Sequence, residues 1–74
     1  MRTLTAVVEY DPETKLYVGS VPGLHGAHTQ GADLDELQRN LREVIELCLE
    51  EQGDDLADLP TFIGLQQIEV EVPV

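Results

Sequence analysis

Basic residues are scarce: four Lys and Arg stand against fifteen Asp and Glu in 74 residues, a formal charge of −11. Such a chain repels phosphate backbones and anionic membrane surfaces, which argues against direct nucleic-acid binding and for a basic protein partner. Cysteine is almost absent. Cys48 alone cannot close an intrachain disulfide, and a small secreted domain that needs covalent staples carries an even set, so a reducing, cytoplasmic setting is expected. No stretch approaches the roughly 20 apolar residues that cross a bilayer, and Met1 to Tyr10 carries Arg2 but no apolar signal core. The chain reads as a mature soluble protein, with neither an internal repeat nor a low-complexity tract.

What is present is ordinary for a globular chain: 42% hydrophobic and 26% charged residues, enough for one small core and too few for two domains. Residues 1–74 are therefore expected to form a single domain. From Thr3 to Tyr10, Leu4, Ala6, Val8 and Tyr10 alternate with Thr3, Thr5, Val7 and Glu9, the period of a half-buried strand. Asp11-Pro12-Glu13-Thr14 supplies turn chemistry, and Lys15 to Ser20 resumes the extended pattern, which predicts a hairpin. Three glycines and a proline punctuate Val21 to Gly31, implying a bend followed by a short strand near Ala27 to Gln30.

Asp33 stands at an N-cap position with Glu36 three residues on, and Gly53 offers a C-terminal stop, which predicts a helix over Leu34 to Gln52. At 100° per residue Leu34, Leu37, Leu41, Val44, Ile45, Cys48 and Gln52 share the face that packs on the sheet, while Leu47 lies off it. An acidic connector from Asp54 to Pro60 follows. Gln67 to Val72 then alternates strictly and predicts a last strand ending at Pro73. The order is β, β, β, α, β. A right-handed crossover places the last strand beside and parallel to the first, in a sheet of order 3-2-1-4 with one helix on one face. The other face then carries Thr3, Thr5, Glu9, Glu69 and Glu71, interrupted by Val7 and Tyr17, and Glu9, Glu69 and Glu71 become neighbours there. Apolar residues left over by so small a core point to a homo-oligomer, most simply a dimer.

Little here suggests catalysis. His25 and His28 have a spacing seen in metal sites but lack the third and fourth ligands, Cys48 falls on the apolar helix face, and Ser20 has no histidine and aspartate at triad spacing. Gly23, Gly26 and Gly31 precede a helix but fit neither the Walker nor the dinucleotide pattern, and Asp33, Asp35 and Glu36 would repel a phosphate at that helix start. Turn geometry accounts for the glycines better. Glu9 beside Glu69 or Glu71 is the one place where carboxylates could hold catalytic metals, and a solvated acidic face explains them more simply. No metal, cofactor or catalytic residue is assigned.

Glu9-Tyr10, the run Tyr17-Val18-Gly19-Ser20-Val21-Pro22-Gly23-Leu24-His25-Gly26, then Thr29-Gln30-Gly31-Ala32-Asp33 and the amphipathic helix with Leu34, Leu37, Leu41 and Ile45 together resemble the HicB family of antitoxins, over roughly Val7 to Gln52. Pro22, Leu24, Gly26, Gly31 and Asp33 are the structural positions of that motif. The chain departs from it at Ala27, where the family often has Cys, and at Gln38, where it has Ala, and no DNA-binding tail follows Val74. The resemblance implies an α+β, degenerate ribonuclease-H-like βββαβ fold. It implies a non-catalytic antitoxin that blocks a small basic HicA-type messenger-RNA interferase, the catalytic histidine belonging to the toxin. Glu9, Asp11, Tyr17, Glu69 and Glu71 are the expected contact residues. An orphan binding domain without a toxin and a residual metal-dependent nuclease of the same fold are the alternatives.

Overall fold

The computed structural model describes residues 3–52 and 59–73. Gly53 and most of the acidic connector lie outside the described residues. The elements run β1 (Val7–Asp11), β2 (Leu16–Ser20), β3 (His28–Gly31) and α1 (Leu34–Gln52). The strands form a three-stranded antiparallel sheet of order β1-β2-β3 with α1 on one face, an α+β arrangement. No described helix is long and apolar enough to cross a membrane.

The hairpin closes on a four-residue loop, Pro12 to Lys15, between the paired Asp11 and Leu16. Pro12 pre-sets the turn, Lys15 takes the left-handed conformation at φ 61°, and the Lys15 N–H donates to the Asp11 carbonyl at 2.8 Å. The Asp11 carboxylate holds the same loop, accepting from the Glu13 N–H at 3.0 Å and the Thr14 hydroxyl at 3.1 Å. The first strand is shorter than its alternation suggests. Val7 pairs with Ser20, the last residue of β2, so Thr3 to Ala6 have no strand beside them.

Between β2 and β3 two tight turns follow one another. The Leu24 N–H donates to the Val21 carbonyl at 3.2 Å and the Ala27 N–H to the Leu24 carbonyl at 3.1 Å, with Gly23 at φ 85° and Gly26 at φ 83° in the third position of each turn. Proline second and a left-handed glycine third are the signature of a type II turn, which Pro22-Gly23 meets in full. The paired turns drop Val21, Leu24 and Ala27 into the core, where they meet Cys48.

The helix keeps its expected bounds because its signals are local. The Glu36 N–H donates to Asp33 Oδ1 at 2.8 Å, and the Glu36 carboxylate accepts from the Ala32 N–H, a capping box displaced by one residue on its return arm. Leu37, Leu41 and Cys48 are buried, with Val44, Ile45 and Leu49 packed beside them. Leu34, expected on this stripe, is 56% exposed, because it lies a turn before the point where the helix meets the sheet. That point is fixed by glycine: a Cβ on Gly31 would sit 2.6 Å from the Leu37 nitrogen, and one on Gly19 3.0 Å from Leu41 Cδ1. At its far end the helix is tied back by Gln52, whose Nε2 donates to the His25 carbonyl at 2.7 Å.

The fourth strand is the main difference from expectation. Residues 66–73 are exposed and belong to no strand, so the described sheet has three strands and the order 3-2-1-4 is not realised within the chain. Alternation reports a segment suited to a half-buried pleated surface, not which edge it joins. Residues 60–65 wall one side of an open groove of about 760 Å³ whose other side is lined by Thr3, Leu4, Thr5, Val7, Val21 and Pro22.

Candidate functional site

Register decides what each sheet face carries. The Gly19 position faces Leu37 and Leu41, so the paired residues Val8, Gly19 and Thr29 look toward the helix, as do Tyr10, Tyr17 and Gly31. Val7, Glu9, Asp11, Leu16, Val18, Ser20, His28 and Gln30 occupy the open face.

Tyr17 is therefore not on the open face as expected. It stacks against Tyr10 on the helix side, ring centroids 5.0 Å apart and planes tilted by 59°. Asp11 is half-buried, and its carboxylate accepts two bonds within the hairpin turn. Glu9 is exposed on the open face as expected. Glu69 and Glu71 are exposed but lie on the unpaired C-terminal segment, so the cluster of Glu9, Glu69 and Glu71 does not assemble as adjacent strands.

The motif positions turn out to be architectural. Pro22 and Gly26 build the tandem turns, Leu24 is buried at 8% exposure, and Asp33 caps the helix. Gly31, unlike Gly23 and Gly26, has no positive φ; it is small because the first turn of α1 passes directly over it. His25 and His28 are both exposed, and no three His, Cys, Asp or Glu side chains gather within metal-binding reach among the described residues.

A different acidic surface emerges on the outer face of α1. Glu43, Glu46, Leu47, Glu50 and Glu51 are all exposed and fall within an arc of about 140° at 3.6 residues per turn, opposite the buried stripe. Leu47, 57% exposed, is flanked by carboxylates one residue before it, four before, three after and four after. The last turn contains no basic residue. Glu50 and Glu51 thus sit at the negative end of the helix dipole, each opposed by about 0.3–1 kcal/mol at low ionic strength. Arg39 and Arg42 stand one turn before Glu43 and Glu46 and offset charge there but not at Glu50 and Glu51. The sequence signal for this patch is the spacing of Glu43, Glu46, Glu50 and Glu51 around Leu47 on the polar face of the helix.

A UPF0150 protein of Thermotoga maritima is 54% identical over 70 residues, 95% of this chain and 92% of that protein. The chain belongs to the UPF0150 family. UPF0150 proteins of Synechocystis sp. and Archaeoglobus fulgidus match at 47% over 86% of the chain and at 45% over 88%, covering 88% and 90% of their own lengths. No family model and no solved structure matches. These UPF0150 relatives are close to this chain in size, so the likeness spans nearly the whole of each protein.

Proposed function

We propose that this UPF0150 chain is a HicB-like antitoxin, a non-catalytic module that masks the RNA-binding surface of a small basic toxin with its own carboxylates. The observation that carries the reading is the outer face of α1, where an exposed Leu47 is ringed by four glutamates and no base sits in the last turn. A lone apolar side chain inside a charged rim suits a contact whose centre is desolvated and whose edge sets orientation. The carboxylates that oppose the helix dipole in the free protein would gain from a cationic partner, so the surface is better matched to a basic chain than to water. Glu9 on the open sheet face adds to the same one-signed field. The proposed ribonuclease-H-like relationship would also account for the order of the three strands and the helix.

The test is co-purification from the source cell with the full chain as bait, followed by an RNA-cleavage assay on any stoichiometric small basic partner. Cleavage that falls to background on adding this protein, with association that slows as salt rises past about 0.1 M, where the screening length is about 10 Å, supports the proposal. A partner whose cleavage continues unchanged in the complex refutes it.

A further inference from the structure

We infer that residues 67–72 of one chain form a fourth strand on the β1 edge of a second copy, so that two protomers exchange arms. Both halves of such a contact are present and empty. Among the described residues β1 pairs only with β2, and no described strand lies along its outer side. Exposed edges of this kind are normally blunted by charged side chains, proline or a bulge; Val7-Val8-Glu9-Tyr10-Asp11 has no proline, lysine or bulge, and its charges, Glu9 and Asp11, both lie on the open face. The helix packs over β3 and β2 and does not reach β1, so Val8 and Tyr10 remain 46% and 51% exposed on the helix side.

The complement is Gln67-Ile68-Glu69-Val70-Glu71-Val72. Its apolar residues are 71%, 73% and 77% exposed, in strict alternation with polar ones, and the segment is rich in the β-branched residues that favour strands. Strand parity admits one orientation: Ile68, Val70 and Val72 join Val8 and Tyr10 beside the helix, and Gln67, Glu69 and Glu71 join the open face. An antiparallel alignment that lays the arm along all of β1 sets Gln67 across from Asp11, Ile68 across from Tyr10, Val70 across from Val8 and Glu71 across from Val7, with Glu69 across from Glu9 as its one like-charge pair, on the solvated open face.

The route of the chain favours a partner's edge over its own. Residues 62–65 line the far wall of the groove that Thr3, Leu4, Thr5 and Val7 line, with Ile63 and Leu65 90% and 81% exposed and Gly64 in open space. The arm then runs outward: the radius of gyration is 14.6 Å, against about 11 Å for a compact chain of this length, and the longest dimension is 47 Å. A two-fold copy receives each projecting arm and closes both edges with the same contact.

The experiment is native mass spectrometry of the full chain together with residue-resolved amide exchange by NMR, on the parent and on Val70→Pro, which removes a ladder donor from the arm. The expected result is a dimer in which the outward amides of β1 and those of 67–72 are protected together, with Val70→Pro monomeric, both sets unprotected and α1 still protected. A monomeric parent overturns the inference, whether its arm is free or folded onto its own β1. So does a dimer that survives Val70→Pro, or one in which the arm is protected while the outer edge of β1 still exchanges. Val70→Lys keeps the backbone donor but puts a charge beside the helix, and it too is expected to dissociate the dimer; a dimer that tolerates it overturns the apolar placement of Val70.

Discussion

Gly26 and Gly31 are both positions where a side chain should be costly, but for opposite reasons, and the two reasons can be separated. Gly26 has φ 83° with room for a Cβ, whose nearest neighbour would be Cys48 Sγ at an ordinary contact distance of 3.6 Å. Gly31 has no such backbone demand, but its Cβ would lie 2.6 Å from the Leu37 nitrogen and 2.9 Å from its Cα. Gly26→Ala then costs the left-handed penalty of about 1–2 kcal/mol. Gly31→Ala costs an overpacking penalty of about 1–3 kcal/mol, because the atoms in the way are helix backbone and cannot swing aside. Asparagine discriminates: it tolerates the left-handed region, so Gly26→Asn should recover part of the loss, while Gly31→Asn should be worse than Gly31→Ala. Urea titration followed by helical circular dichroism reads each value, and heating gives shifts of about 4–8 °C per kcal/mol for a domain of this size. A neutral Gly31→Ala, or a Gly26→Asn no better than Gly26→Ala, would refute the reasoning.

Replacing Glu50 or Glu51 by Lys should raise the melting temperature of the free protein at low salt, by the equivalent of about 0.3–1 kcal/mol each, and should slow association with the basic partner. Stopped-flow association and thermal unfolding measured on the same variants would show whether the two effects move in opposite directions. Leu47→Ala should leave the free fold within about 0.5 kcal/mol of the parent while raising the dissociation constant of the proposed complex with a basic partner, as calorimetric titration would read. Asp33→Ala should cost about 1 kcal/mol in chemical denaturation through loss of the bond to the Glu36 N–H. Leu37→Ala, at a side chain only 1% exposed, should cost about 2–5 kcal/mol and leave little folded protein at 37 °C.

What could be read in the sequence was whatever depends on residues close along the chain. Asp33, Glu36 and the apolar spacing from Leu37 to Cys48 defined α1 to its observed ends, because capping and periodicity act within a few residues. The hairpin was legible for the same reason. The face on which Tyr17 lies was not: it depends on the loop length, and the pairing of Asp11 with Leu16 sets Tyr17 against Tyr10 on the helix side. The turn bonds of Asp11 do not show in the sequence, because they depend on where the loop places the Glu13 N–H and the Thr14 hydroxyl. The fourth strand was recognised as strand-like but misplaced, since pairing is a property of two segments and only one of them is visible in an alternating run.

The glycines at 19 and 31 have a consequence for how the outer surface can vary. With the Leu37 backbone close over one and Leu41 over the other, α1 rests in two sockets that fix its rotation about its own axis as well as its height above the sheet. A turn of one residue about that axis would drive side chains into both strands. The bearing of Glu43, Glu46, Leu47, Glu50 and Glu51 is thus indexed from beneath, by atoms none of them touches. Those outward positions are free to drift in sequence, retuning what the helix meets, without the scaffold losing its aim.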